Sequence, residues 1–86
     1  MELVVLTPER EVFRGPIKSV KVPGTAGQFE VLTGHAPIVS SLRDGDVRII
    51  TATGEKKVFG ILNGFIEVLN NEVSLLVRGV DSTPDK

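Results

Sequence analysis

The sequence predicts an all-β domain, a sandwich or flattened barrel of roughly six to ten short strands. Three observations carry that reading. Short runs rich in Val, Ile and Leu recur between Gly, Pro and Asn turn signals, at spacings of about 8 to 12 residues. No stretch holds apolar residues at i, i+3, i+4 and i+7 without a Gly or Pro interrupting it, so the helical period is missing. The second half reads as two consecutive hairpins.

Taken in order, "ELVVL" is a β-branched run closed by "TPE", where Pro8 removes a backbone donor. "EVFRG" and "IKSVKVPG" read as the next two strands, the latter ended by Pro23-Gly24. "GQFEVL" lies between Gly27 and the Thr33-Gly34 pair. "APIVSSL" fits more than one assignment, and "DGD" at 44–46 is a turn signal. "DVRIITATGEKKVFGIL" then reads as two strands around "TGEK", with Gly54 supplying the positive φ. "GFIEVLNNEVSLLVRGV" reads as a hairpin around Asn70-Asn71, because Asn tolerates the left-handed conformation that a two-residue turn needs. That turn sets Leu69 opposite Glu72, Val68 opposite Val73 and Ile66 opposite Leu75. Ile66 and Val68 then face one side and Phe65 and Leu69 the other, Val73, Leu75 and Val77 share a side with Leu76 opposite, and part of the outer face is apolar. Apolar residues on an outer face are either ordinary scattered surface aliphatics or a contact surface. Residues 1–80 are read as one domain and the polar, Pro-broken "DSTPDK" at 81–86 as a frayed tail.

Composition narrows the function. Of 86 residues, ten are Lys or Arg and eleven Asp or Glu. This balance lacks the basic stripe that displaces counterions from nucleic acid and the polybasic cluster of a membrane anchor. Cysteine is absent, which removes disulfides and thiolate metal sites and favours the cytosolic side of a membrane. "MELVVLTPE" has neither the basic start nor the apolar length of a signal peptide, and no run approaches the ~20 apolar residues of a spanning helix. Any membrane contact is expected to run through another protein.

The single histidine, His35, stands in "TGHAP". A catalytic imidazole needs a nucleophile to activate and a group to orient it. Ser40, Ser41, Asp44 and Asp46 are near in sequence, but such partners usually come from separate elements. With one His and no Cys, a metal site is also disfavoured. The competing reading is structural: Gly34 and Pro37 shape the backbone, and the ring fills the turn or docks a neighbour. "VPGTAGQFEV" lacks the Lys-Ser/Thr and the following helix of a phosphate loop, so Gly24 and Gly27 read as a β-turn pair. Glu55, Lys56 and Lys57 read as a solvated hairpin tip. No cofactor is expected.

Three segments, in order, resemble one family. "VPGTAGQFEVLTGHAPIVSSL" is similar to the V-P-G-x-x-G…P-G-H-A-P segment of the epsilon subunit of F-type ATP synthases, "DGDVRI" to its next segment, and "GILNGFIEVLNNEVSLLV" to its S-G-G-F-L-E-V…V-T-V-L stretch. The match covers nearly the whole chain, and G-H-A-P is its most specific block. Glu30 stands where the family usually has Gly, and Thr33 where it has Pro.

The resemblance implies a flattened antiparallel β-sandwich of about ten short strands and a non-catalytic rotor subunit of the central stalk. It implies two partners, the gamma subunit and the ring of c subunits. Carried over by position, Thr7, His35, Ala36, Pro37 and Ser40 are the expected gamma contacts, and Gln28, Phe29, Glu30 and Val31 the expected c-ring contacts. Location would be peripheral, on the cytoplasmic side of a bacterial inner membrane or the stromal side of a thylakoid. Most family members continue into a two-helix C-terminal domain that binds ATP or inhibits hydrolysis, and both properties are expected to be absent from these 86 residues. Two alternatives stand beside this reading: a general β-sandwich adaptor for another protein, and a small hydrolase using His35.

Overall fold

A computed structural model of the chain describes residues 1–81. Its eight strands are β1 (Glu2–Leu6), β2 (Glu11–Gly24), β3 (Gly27–Leu32), β4 (Ile38–Leu42), β5 (Gly45–Thr51), β6 (Lys56–Ile61), β7 (Asn63–Leu69) and β8 (Glu72–Arg78). They hydrogen-bond in the order β1-β8-β7-β4-β2-β5-β6, with β3 on β2 and a further pairing of β1 with β2. The all-β expectation holds, and eight strands fall within the six to ten read from the sequence, with one difference in how they are divided. "EVFRG" and "IKSVKVPG" are not two strands but one. The first part of β2 pairs with β1, from Glu11↔Leu6 to Pro16↔Glu2. The second part pairs with β3 and β5 from Ile17 and Ser19 onward. Pro16, which has no N–H to donate, sits at the handover between partners. The ambiguous "APIVSSL" resolves as a loop and β4, paired antiparallel with β7.

β2 thus belongs to both halves of the molecule. One half is β1-β8-β7-β4 and the other β3-β2-β5-β6, and the apolar side chains between them form one cluster to which every strand contributes. Neither half closes a core alone. The described residues span 28 × 28 × 23 Å. All pairings are antiparallel except one: β1 runs parallel to β8, Leu3 beside Val73 and Val5 beside Leu75. A parallel pair needs a long connection, and here the intervening six strands supply it.

The turns follow their residue chemistry. Asn70 and Asn71 both have positive φ, 53° and 63°, and the hairpin they close has the expected register, Leu69↔Glu72, Val68↔Val73 and Ile66↔Leu75. At the β5–β6 turn Gly54 has φ 93°, and the Thr51 hydroxyl accepts the Glu55 N–H at 3.0 Å. Gly24 and Gly27 pair across the mouth of the β2–β3 hairpin. A Cβ on Gly24 would stand 2.7 Å from the Gly27 carbonyl oxygen and 2.8 Å from the Phe29 ring, so the residue is glycine for lack of space. The expected tail at 81–86 lies, apart from Asp81, outside the described residues; Asp81 exchanges two backbone hydrogen bonds with Gly60.

The strict alternation along β8 yields a test. Leu75 is fully buried and its neighbour Leu76 is half exposed. In urea unfolding, Leu75→Ala is expected to cost about 2–5 kcal/mol, and Leu76→Ala to stay within about 0.5 kcal/mol of the parent.

Candidate functional site

The outer face of β4-β7-β8-β1 is the most distinctive surface of the molecule. Strand alternation sends Phe65, Glu67 and Leu69 of β7, Ser74 and Leu76 of β8, Val39 and Ser41 of β4 and Val4 and Leu6 of β1 to the same side. The registers align them in rows. Leu6 stands beside Leu76, Leu76 opposite Phe65, and Phe65 opposite Ser41. The next row runs Val4, Ser74, Glu67, Val39. Val39 is 73% exposed, Phe65 55% and Leu76 52%, with Leu69 at 49% and Leu62, in the β6–β7 link, at 63%. Among the described residues, four of the seven large apolar side chains that the fold leaves exposed, Val39, Phe65, Leu69 and Leu76, therefore lie on the strands of this half. The clustering favours a contact surface over scattered aliphatics.

The loop after β3 stands at one end of this face. The His35 N–H donates to the Leu32 carbonyl at 3.0 Å, and Gly34 between them has φ 85°, the signature of a type II turn with Gly at its third position. The His35 ring Nδ1 lies 2.7 Å from the Ala36 carbonyl oxygen, which fixes the imidazole against its own backbone and makes Nδ1 the protonated nitrogen when the ring is neutral. His35 is half-buried, and Ala36 and Pro37 are exposed. Ser40 faces inward opposite Ile66, and its hydroxyl donates to the Ser41 carbonyl at 3.3 Å. Ring and hydroxyl each bond to a backbone carbonyl rather than to each other, so the base-to-nucleophile link of a hydrolase is not formed by this pair. Among the described residues no group of three His, Cys, Asp or Glu side chains could hold a metal ion.

Thr7 stands at the opposite end of β1. Its hydroxyl donates to the Arg10 carbonyl at 3.1 Å and accepts the N–H groups of Glu9 and Arg10 at 3.2 and 3.1 Å. One donor and two acceptor positions are all a hydroxyl has, so this group is fully used in shaping the β1–β2 loop. From Glu2 to Leu6 the strand rises roughly 13 Å. Thr7 and His35 are therefore not brought together; they bracket the apolar face from its two ends.

The residues expected at the c-ring lie on β3, an edge strand bonded only to β2. Gln28 and Glu30 are exposed and Phe29 is half-buried. Val31 is 0% exposed; its side chain belongs to the core and leaves Gln28 and Glu30 as the side chains a neighbour can meet. Glu30 stands across from Lys21 and lines, with Lys21, Arg48, Lys56 and Val58, a shallow groove of about 220 Å³ on the outer face of β2-β5-β6. Sequence reasoning missed this groove, because its basic residues come from three strands and carry no common local motif.

Fold and site define a small closed β-sandwich with an apolar outer face bracketed by two internally hydrogen-bonded loops. The chain belongs to the delta/epsilon chain β-sandwich domain family of ATP synthase, whose family model matches residues 1–82. It is 40% identical over 83 residues to the ATP synthase epsilon chain of Protochlamydia amoebophila (strain UWE25), covering 96% of this chain and 56% of that one. With the ATP synthase epsilon chain of Chlorobaculum tepidum it shares 41% over 78 residues, covering 91% and 89%. It thus spans about half the length of some relatives and nearly all of another. A chain in the cryo-EM structure of the Euglena gracilis mitochondrial ATP synthase (OSCP/F1/c-ring) has the same fold, with a TM-score of 0.84 at 21% identity over 91% of this chain and 50% of that one.

The saturated Thr7 hydroxyl gives a second test. Thr7→Ser keeps its three bonds and should leave thermal unfolding unchanged, whereas the nearly isosteric Thr7→Val should cost about 1 kcal/mol.

Proposed function

We propose that this domain is a non-catalytic rotor part of the central stalk of a proton-translocating F-type ATP synthase, joining the gamma subunit to the c-ring. The observation that carries the reading is the apolar outer face of β4-β7-β8-β1, in a chain that is a member of the epsilon family. The face is the gamma-docking surface, with Phe65, Leu76 and Val39 at its centre and the His35–Pro37 loop at one margin. Thr7 contributes through the shape of its loop. Gln28 and Glu30, on the exposed side of edge strand β3, meet the c-ring, and Glu30 with Lys21 presents charge of both signs there. Attachment to the membrane is peripheral and runs through the complex, on the cytoplasmic side of a bacterial inner membrane or its stromal equivalent.

Energetics favour an apolar joint. One elementary charge crossing 100 mV supplies roughly 2.3 kcal/mol, and an exposed ion pair contributes only about 0.2–1 kcal/mol. A joint that carries rotational load between subunits without slipping therefore needs a broad apolar contact, on the order of 1,000 Å² or more. A sandwich with a close-packed interior also passes strain on with little deformation.

Titration of purified gamma subunit tests the reading. Phe65→Glu and Leu76→Glu should each weaken binding at least about tenfold while leaving the far-UV spectrum and melting temperature near those of the parent, and His35→Ala should weaken it by less. Unchanged affinity in both Glu variants would remove the outer face from the docking surface.

A further inference from the structure

We infer that Asn71 is a positioning residue that holds the Gly34–Pro37 loop in its docking pose; this rests on the gamma-docking reading above. Asn71 lies in the β7–β8 turn, 37 residues from Gly34, yet its Oδ1 accepts the Gly34 N–H at 2.8 Å. Among the described residues every other side-chain hydrogen bond joins positions at most four apart. An N–H can donate only to the oxygen of the amide, so the side-chain orientation follows from the contact itself. The main chain of the same residue ties a third segment, because the Asn71 carbonyl accepts the Glu2 N–H at 3.0 Å. One residue thus joins the hairpin tip, the start of β1 and the turn that carries His35.

The geometry explains why a loop needs such a tether. Between Leu32, the last residue of β3, and Ile38, the first of β4, the turn is closed only by its own His35 N–H to Leu32 bond, and its other contact, His35 Nδ1 to Ala36, is internal to the loop. These bonds set the shape of the loop but not its placement on the sandwich. The bond to Asn71 links it to the β7–β8 hairpin, whose outer residues Phe65, Leu69 and Leu76 form the apolar face, so loop and face are presented as one rigid surface. Preorganising a contact loop reduces the ordering cost of association.

The turn chemistry allows a clean separation of tether from fold. Asn71 has φ 63°, a conformation glycine adopts freely, and Asn-Gly is the preferred pair for this hairpin turn. Asn71→Gly therefore removes the side-chain acceptor while keeping the turn and the carbonyl bond to Glu2. Asn71→Asp keeps an acceptor oxygen and tolerates the same backbone.

The experiment measures Gly34 amide exchange by NMR in the isolated chain, together with the affinity of the same variants for purified gamma subunit. Asn71→Gly should keep or raise the melting temperature, speed Gly34 exchange about five- to tenfold and weaken gamma binding several-fold, and Asn71→Asp should restore both. Unchanged Gly34 exchange in Asn71→Gly would overturn the tether. Faster exchange with undiminished gamma affinity, in a background where His35→Ala does weaken binding, would overturn its positioning role. If neither His35→Ala nor Phe65→Glu weakens binding, the docking reading itself falls and the positioning role with it, whatever the exchange rates show.

Discussion

The register of the β7–β8 hairpin is the constraint on which the rest of this molecule depends. Side chains alternate with a period of two, so sliding one strand by a single residue would carry its whole inner set to the outside. Ile66 and Val68 would exchange places with Phe65, Glu67 and Leu69, driving a carboxylate into the core. Two left-handed asparagines prevent the slip. They fix Leu69 against Glu72, and every pairing beyond follows, including the row in which Leu6, Leu76 and Phe65 lie side by side. Because β8 is flanked by both β7 and β1, and β7 by β4, the same register fixes one complete half of the sandwich. This half's share of the core and the outer apolar face both follow from a single choice of turn.

Much of this was legible in the sequence because it is local. The Asn70-Asn71 turn, the common side of Val73, Leu75 and Val77, and the opposite side taken by Leu76 follow from alternation and turn chemistry, and the structure has them so, with the first set buried and Leu76 exposed. What escaped was non-local. That "EVFRG" and "IKSVKVPG" form one strand depends on β1 and β5 each offering an edge to a different half of it; Gly15 and Pro16 look like an ordinary break. The parallel contact of β1 with β8 joins the two ends of the fold, and no local signal marks it. Of the site residues suggested by resemblance, position in a motif did not reveal orientation. Val31 alternates inward on β3 and Ser40 inward on β4, as counting from a buried neighbour would have shown once the strands were placed.

The tether from Asn71 to Gly34 belongs to the same non-local class. The sequence displays an asparagine suited to a tight turn, and that local demand fully explains its presence, so nothing in the chain advertises a second task for its amide. Residues that meet a backbone requirement can carry a long-range contact at no extra cost in turn stability. The Thr7 hydroxyl illustrates the contrasting case: all its bonds fall within its own loop, and its contribution ends there.

Stability and association are then divided between two faces of the same strands. Among the described residues the ion pairs, Glu11–Arg14, Arg43–Asp44, Asp46–Arg48 and Glu55–Lys57, are all exposed and local in sequence, and pairs of that kind contribute little. Folding rests on the shared core between the layers, which is apolar and, among the described residues, leaves no buried side-chain polar atom unpartnered. The outer face adds almost nothing to that core, since Leu76, Phe65 and Val39 remain half or more exposed. Apolar side chains that the fold does not need for its own stability are free to be shaped by a partner. Their rigid placement on paired strands lets a domain this small present a joint that does not have to order itself before binding.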